Sequence, residues 1–280
     1  MNYRHAYHAG NFADVLKHVV LVALIEHLAR KPSPMFLLDT HAGRGNYPLE
    51  AIETQRTHEY RTGILPLLAA PAPPAPVARY LEIVRRLGVE DGRLLAYPGS
   101  PLIALESLRA TDRAAFCELE PGEAATLKRG LGRDARAQVH ARDGYEALKA
   151  LTPPKEKRGL VLIDPPYEDP EEFERLKETL LAAHRRWPGG VIALWYPIKA
   201  GDAAGRFLER MAASGDPAQL VVELCIERDD LPGGLNGAGM LILNPPWQLD
   251  EYLGSALPWL RDRLAPGRGR SRVSWQVGPR

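Results

Sequence analysis

Cysteine is nearly missing: Cys117 and Cys225 are the two in 280 residues. Both sit in short apolar runs, without the spaced Cys/His partners of a metal site. That excludes a disulfide scaffold and a zinc cluster, and predicts reduced, buried thiols. Long hydrophobic runs are also absent. Near the start the longest is Val19–Ile25, bounded by His18 and Glu26, far short of the ~20 residues that span a bilayer. The opening "MNYRHAYHAG" lacks the apolar stretch of a secretory leader. Net charge is almost nil, 36 Lys and Arg against 35 Asp and Glu, so no global field announces nucleic acid and any such contact must use local patches. Neither a G-x-G-x-x-G dinucleotide fingerprint nor a phosphate loop ending in Lys-Ser/Thr occurs. A cytoplasmic, monomeric protein without membrane contact or bound metal is expected.

What is present is ordinary globular composition, 45% hydrophobic and 25% charged, enough for one large α/β domain. Asn11–Arg30 reads as a helix with a broad apolar face, on which Asp14, Lys17 and His18 share one side at spacings of three and four. Five short runs, apolar on both faces, follow: Met35–Asp39, Ala115–Leu119, Val139–Arg142, Leu160–Asp164 and Val191–Tyr196. Helical stretches separate most of them, the pattern of a parallel sheet covered on both sides. Two further runs, Leu220–Ile226 and Met240–Leu243, are joined only by "ERDDLPGGLNGAG", which fits an antiparallel hairpin. The expectation is a seven-stranded, mostly parallel sheet with one antiparallel strand. Between the first two runs, residues 49–92 read as a small helical insertion around "PAPPAP", which leaves 1–48 and 93–280 as the main domain.

Ligands of open parallel sheets bind beyond the carboxyl ends of the strands. Those ends carry "LLDTHAGRG", "FCELEP", "HARDGY" and "LIDPPY". The first places Asp39, His41, Gly43 and Gly45 at alternating positions and resembles the acid-x-G-x-G-x-G loop of class I methyltransferases, with His41 for the first glycine. Glu118 could grip ribose hydroxyls, and Asp143 beside Gly144 could accept from an adenine amine. Each acid alone also fits a helix cap or a surface position; four successive strand-end acids, Asp39, Glu118, Asp143 and Asp164, favour a ligand cleft.

The fourth end is the most specific. The lone pair of an aromatic amine is delocalised into its ring. Two acceptors that hold its N–H bonds let the nitrogen pyramidalise and attack. Asp164 supplies one acceptor and the Pro165 carbonyl the other, fixed by proline φ. Tyr167 can stack on the base. The motif nearly recurs as "NPPW" at Asn244–Trp247, but on the second arm of the hairpin, which puts Asn244 at the opposite sheet edge. That copy reads as structural, with Trp247 packed. Ser100 in "YPGSP" reads as a helix N-cap before Pro101.

Together, "YRHAYHAGNFADVLKH", "LDTHAGRG", "YPGSPLIA", "CELEP", "RDG", "GLVLIDPPYE", "ALWYP" and "NPPW" with "LPWL" resemble the RlmJ family of bacterial 23S ribosomal RNA adenine-N6 methyltransferases along almost the whole chain. The resemblance implies an α/β Rossmann-like class I methyltransferase that uses S-adenosylmethionine on adenine 2030 of 23S ribosomal RNA. It implies cofactor contacts at His18, His41, Ser100, Glu118, Asp143, Gly144 and Asp164, catalysis by Asp164, and substrate contact by Tyr3, to which the residues themselves add Pro165 and Tyr167. The arm Tyr3, Arg4, His5 and His8 suits phosphate and base contacts; the arginines of the insertion and of the last twenty residues are further basic groups. Three other readings compete. A DNA adenine methyltransferase would share the Asp-Pro-Pro-Tyr chemistry but needs a DNA-reading domain. A glutamine methyltransferase favours Asn over Asp164. A non-enzymatic RNA-binding module has no use for four strand-end acids.

Overall fold

The computed structural model describes residues 5–215 and 217–279. Eight strands form the main sheet: β1 (Phe36–Asp39), β2 (Arg113–Glu118), β3 (Ala137–Ala141), β4 (Gly159–Ile163), β5 (Val191–Ile198), β6 (Gln219–Cys225), β7 (Gly237–Leu243) and β8 (Arg270–Val277). Their spatial order is β8-β6-β7-β5-β4-β1-β2-β3. Strands β3, β2, β1, β4 and β5 run parallel, β7 is antiparallel to both β5 and β6, and β8 is antiparallel to β6. The expected hairpin is therefore β6–β7. An eighth strand corrects the expected count of seven. Its sequence, "RSRVSWQV", is too polar to read as a buried run because it covers only the sheet edge, where charged side chains are tolerated.

Helix α1 (Phe12–Ala29) explains much of the packing. Fifteen of its 18 residues are buried, so it has no solvent face on which Asp14, Lys17 or His18 could be hydrated. It shares one core with α4 (Ala75–Gly88), α5 (Ser100–Ser107) and α10 (Leu249–Leu264) on one side of the sheet. Helices α7 (Gly144–Leu151), α8 (Glu172–Arg186) and α9 (Ala203–Ala212) build a second core on the other side. The remaining helices are α2 (Ile52–Thr57) and α3 (Ile64–Leu68), and α6 (Pro121–Leu131) after β2. The chain departs into residues 49–92 and returns through one short antiparallel pair, Asn46–Pro48 with Ala96–Pro98. Cys117 and Cys225 are free and buried, and burial pushes each thiol up to about 12.

The two Pro-Pro motifs point to opposite edges. Ile163 ends β4 at the carboxyl edge of the parallel strands, whereas Leu243 ends β7 opposite Ile192, at the start of β5. Asn244 there donates its side-chain amide to the Pro188 and Gly190 carbonyls, 3.2 Å each, from a left-handed backbone conformation (φ 53°). Trp247, expected to pack, is instead 79% exposed: the αL turns at Asn244 and Gln248 carry it past the core. Asn244→Ala should cost about 1–2 kcal/mol of stability, since two hydrogen bonds are lost and alanine disfavours that φ, yet leave any activity of the folded protein intact. Denaturant melts and single-turnover assays check both; a collapse in turnover would make this copy the working one.

Candidate active site

Strands β1 and β4 are neighbours on which the chain order reverses, the crevice position of a doubly wound sheet. A cavity of about 490 Å³ opens there. His18, His41, Ser100, Glu118, Asp143, Gly144 and Asp164 all line it, along with Lys17, Pro166 and Arg175. Pro165 and Tyr167 do not. Tyr167 sits beside the cavity at φ 52°, its hydroxyl donating to the Trp195 carbonyl at 2.6 Å and its ring edge-on to Trp195. A tyrosine at positive φ is held there by its surroundings at a local cost. Tyr3 and Arg4 lie outside the described residues.

A buried ion network joins α1 to β4. Lys17 Nζ lies 2.6 Å from Asp164 Oδ2 and 2.9 Å from Asp14 Oδ1. Asp14 Oδ2 in turn accepts from His5 Nε2 and the Gly10 N–H, 3.0 Å each. Burial alone would lower the Lys17 pKa, but Asp14 and Asp164 outweigh it and hold the ammonium well above its ordinary range. Burial likewise works against Asp14, yet His5 and Lys17 keep its carboxyl well below the usual value. Lys17 is therefore a fixed cation that pins one oxygen of Asp164. Local sequence spacing brought Asp14 and Lys17 together; the pairing with Asp164, 147 positions away, had no sequence signal.

The glycine loop is drawn over β2. Gly43 (φ 62°) and Gly45 (φ 83°) hold left-handed conformations that favour glycine. The Gly43 N–H donates to Glu118 Oε2 and the Glu120 N–H to Oε1, 2.9 Å each. Burial raises the Glu118 pKa against these bonds. Asp143 is a helix cap as well as a cavity residue: its Oδ1 accepts from the Tyr145 and Glu146 N–H groups, while Oδ2 faces Arg175 at 3.5 Å. A Cβ on Gly144 would lie 2.2 Å from the Thr40 carbonyl oxygen, so only glycine lets α7 approach the loop after β1 so closely. His41, its pKa lowered to about 4 by burial, stays neutral.

Ser100 is not the N-cap. Gly99 takes that place, and the Ser100 hydroxyl donates to Asp39 Oδ2 at 2.6 Å. The rest of the wall escaped sequence reading. Arg175 stacks over Tyr145 at 3.9 Å, and the Tyr145 hydroxyl bonds Glu172; Tyr97, in "YPGSP", bonds His18. A tyrosine within an apolar stripe looks like core, which hides such roles.

A parallel sheet with an antiparallel strand between its fifth and sixth members, and carboxylates from three neighbouring strand ends lining one cavity with Asp39 buried behind Ser100, defines a class I methyltransferase. The chain belongs to the family described as "Ribosomal RNA large subunit methyltransferase D, RlmJ", which matches residues 32–277. It is 40% identical over 278 residues to the ribosomal RNA large subunit methyltransferase J of Escherichia coli, covering 99% of both chains. It is 38% identical to the protein of that name from Haemophilus influenzae, covering 98% of both. The crystal structure of a Legionella pneumophila protein superimposes with a TM-score of 0.89 at 33% identity, covering 96% of this chain and 98% of that one.

Burial pushes Asp39 up to about 6, against hydrogen bonds from Ser100 and the His41 N–H that favour its charged form. The unfolded chain ionises near the ordinary 3.8. Between these values the folded state binds more protons, so stability falls as pH rises through the window and the loss is complete above it. Asp39→Asn should therefore stabilise the protein by roughly 1–3 kcal/mol at about pH 8 and give no gain near pH 4. Thermal melts at both pH values decide it; equal shifts would contradict the assignment.

Proposed function

We propose that this chain transfers a methyl group from S-adenosylmethionine to the N6 amine of an adenine in 23S ribosomal RNA, adenine 2030 by family resemblance, in the cytoplasm. The observation that carries this reading is Asp164, at the end of a central strand, opening into a cavity with one carboxylate oxygen tethered by Lys17. The cofactor fits the wall. Glu118 and Asp143 offer acceptors for ribose hydroxyls and an adenine amine, Gly144 and the Gly43–Gly45 loop permit close backbone approach, and buried His18 presents a ring nitrogen, Nε2, with no partner among the described residues. S-adenosylmethionine, when bound, supplies an electrophilic sulfonium methyl group.

The protein's part is orientation of the amine. Asp164 Oδ1, with Oδ2 held by Lys17, accepts one N–H of the target; the Pro165 carbonyl accepts the other. The lone pair is thereby freed from the ring. The Lys17 ammonium, held charged by Asp14 and Asp164, anchors Oδ2 and leaves Oδ1 as the acceptor. The adenine must leave its stack to reach this depth, and Tyr167 offers it a ring face. Residues 49–92 are read as an insertion on the methyltransferase domain. Across the arm, His5 lines the cavity and bonds Asp14, whereas His8 pairs with Glu59.

Asp164→Ala should abolish methylation, by on the order of 10²–10⁴ in single-turnover rate, in protein that remains folded but melts at a lower temperature because Lys17 loses one of its two buried partners; near-normal turnover would remove Asp164 from the mechanism. Glu118→Ala should weaken S-adenosylmethionine binding about threefold to tenfold with RNA affinity unchanged. Calorimetry and filter binding read the two separately, and an unaltered cofactor affinity would refute the ribose assignment.

A further inference from the structure

His18 is fully buried, and its Nδ1 lies 2.6 Å from the Tyr97 hydroxyl. That hydroxyl lies 2.9 Å from the hydroxyl of Tyr80. Both tyrosines are 0% exposed. A phenol has one hydrogen to donate. Tyr80 has no other hydrogen-bond partner among the described residues, so its hydrogen goes to Tyr97 or remains buried and unmet, which is costly. If Tyr97 accepts from Tyr80, its own hydrogen points at His18 Nδ1. A ring nitrogen that accepts carries no hydrogen. Burial holds the imidazole neutral, its pKa well below the ordinary value, and a neutral ring with a bare Nδ1 bears its proton on Nε2. Nε2 is the atom without a partner, on a residue that lines the cavity.

We propose that Tyr80 and Tyr97 are positioning residues that lock His18 as the Nε2–H tautomer, giving the cavity a fixed N–H donor for an oxygen of the cofactor. The anionic candidate on S-adenosylmethionine is the carboxylate of its methionine part. The chemistry deepens the cofactor reading above and rests on it. Tyr80 belongs to α4 within residues 49–92, and Tyr97 to the short strand by which the chain returns. The segment thus sets the hydrogen-bonding polarity of the cofactor site without touching the cofactor: Tyr80 is not part of the cavity wall. With His18 donating through Nδ1 instead, one phenol hydrogen, that of Tyr80 or of Tyr97, would go unused, and a bare nitrogen would stand where an anion must bind.

The two arrangements differ in a ring-nitrogen spectrum. Ligand-free protein labelled with ¹⁵N-histidine is compared with His18→Gln to assign the His18 signals. The expected pattern is a protonated Nε2 and a bare Nδ1 from about pH 6 to pH 8; a protonated Nδ1 overturns the proposal. In Tyr80→Phe the Tyr97 hydroxyl is free to donate or accept, so the His18 signals should move toward a tautomer average. S-adenosylmethionine affinity, by calorimetry, should fall about threefold to tenfold. A folded Tyr80→Phe with the wild-type His18 spectrum overturns the lock, whatever its affinity. Wild-type protein that shows the Nε2–H pattern but binds no S-adenosylmethionine would uphold the tautomer lock and refute the cofactor reading instead.

Discussion

The rest of the site depends on one buried ion network, Lys17 between Asp14 and Asp164. Charges inside a protein are tolerated only when paired, and removing one member of such a pair typically costs roughly 3–5 kcal/mol. Here the pairing does two things. It lets α1 run through the core with polar residues on it, and it fixes that helix against the end of β4. Without Lys17, Asp164 would lose its cation and Asp14 would be left with His5 alone. Asp164 is thus placed by a residue 147 positions away in the chain.

Around that fixed point the two faces of the sheet have different tasks. On one, α1, α4, α5 and α10 merge into a single core, so residues 49–92 are packed into the body of the molecule. The Tyr80–Tyr97–His18 chain is the polar counterpart of that merger. On the other, α7 and α8 with their flanking residues bring Asp143, Tyr145, Glu172 and Arg175 to the cavity wall. Each face is braced by bonds within it and to the strand-end acids, which explains why so many cavity residues bond each other as well as lining it.

Much of this was legible in the sequence for a physical reason. Strands buried on both faces read as apolar runs, and an acid at the end of such a run is conspicuous; Asp39, Glu118, Asp143 and Asp164 stood out that way. Topology settled which Pro-Pro motif faces the cavity, because an antiparallel strand must end at the other edge. What stayed hidden depended on distance or disguise. No local spacing links Lys17 to Asp164. Tyr80 and Tyr97 lie in apolar surroundings where their hydroxyls leave no pattern. Ser100 looked like a cap because Ser before Pro so often is one, yet its hydroxyl is used by Asp39. Trp247 looked like core by its size alone.

The arginine-rich end illustrates a different consequence. Arg270 and Arg272 of β8 pair with Asp229 and Glu223, and Arg268 with Glu227, so this basic stretch is largely neutralised in place. Its strand covers β6, whose seven residues are all buried. During synthesis β6 is made before α10, and β8 only after it. Until β8 emerges, the edge of β6 beside it is an open apolar template, the kind of surface on which nascent chains pair wrongly. This strand acts as a seal, and its polar residues, Arg270 and Arg272 among them, make the finished edge a poor partner for any other strand.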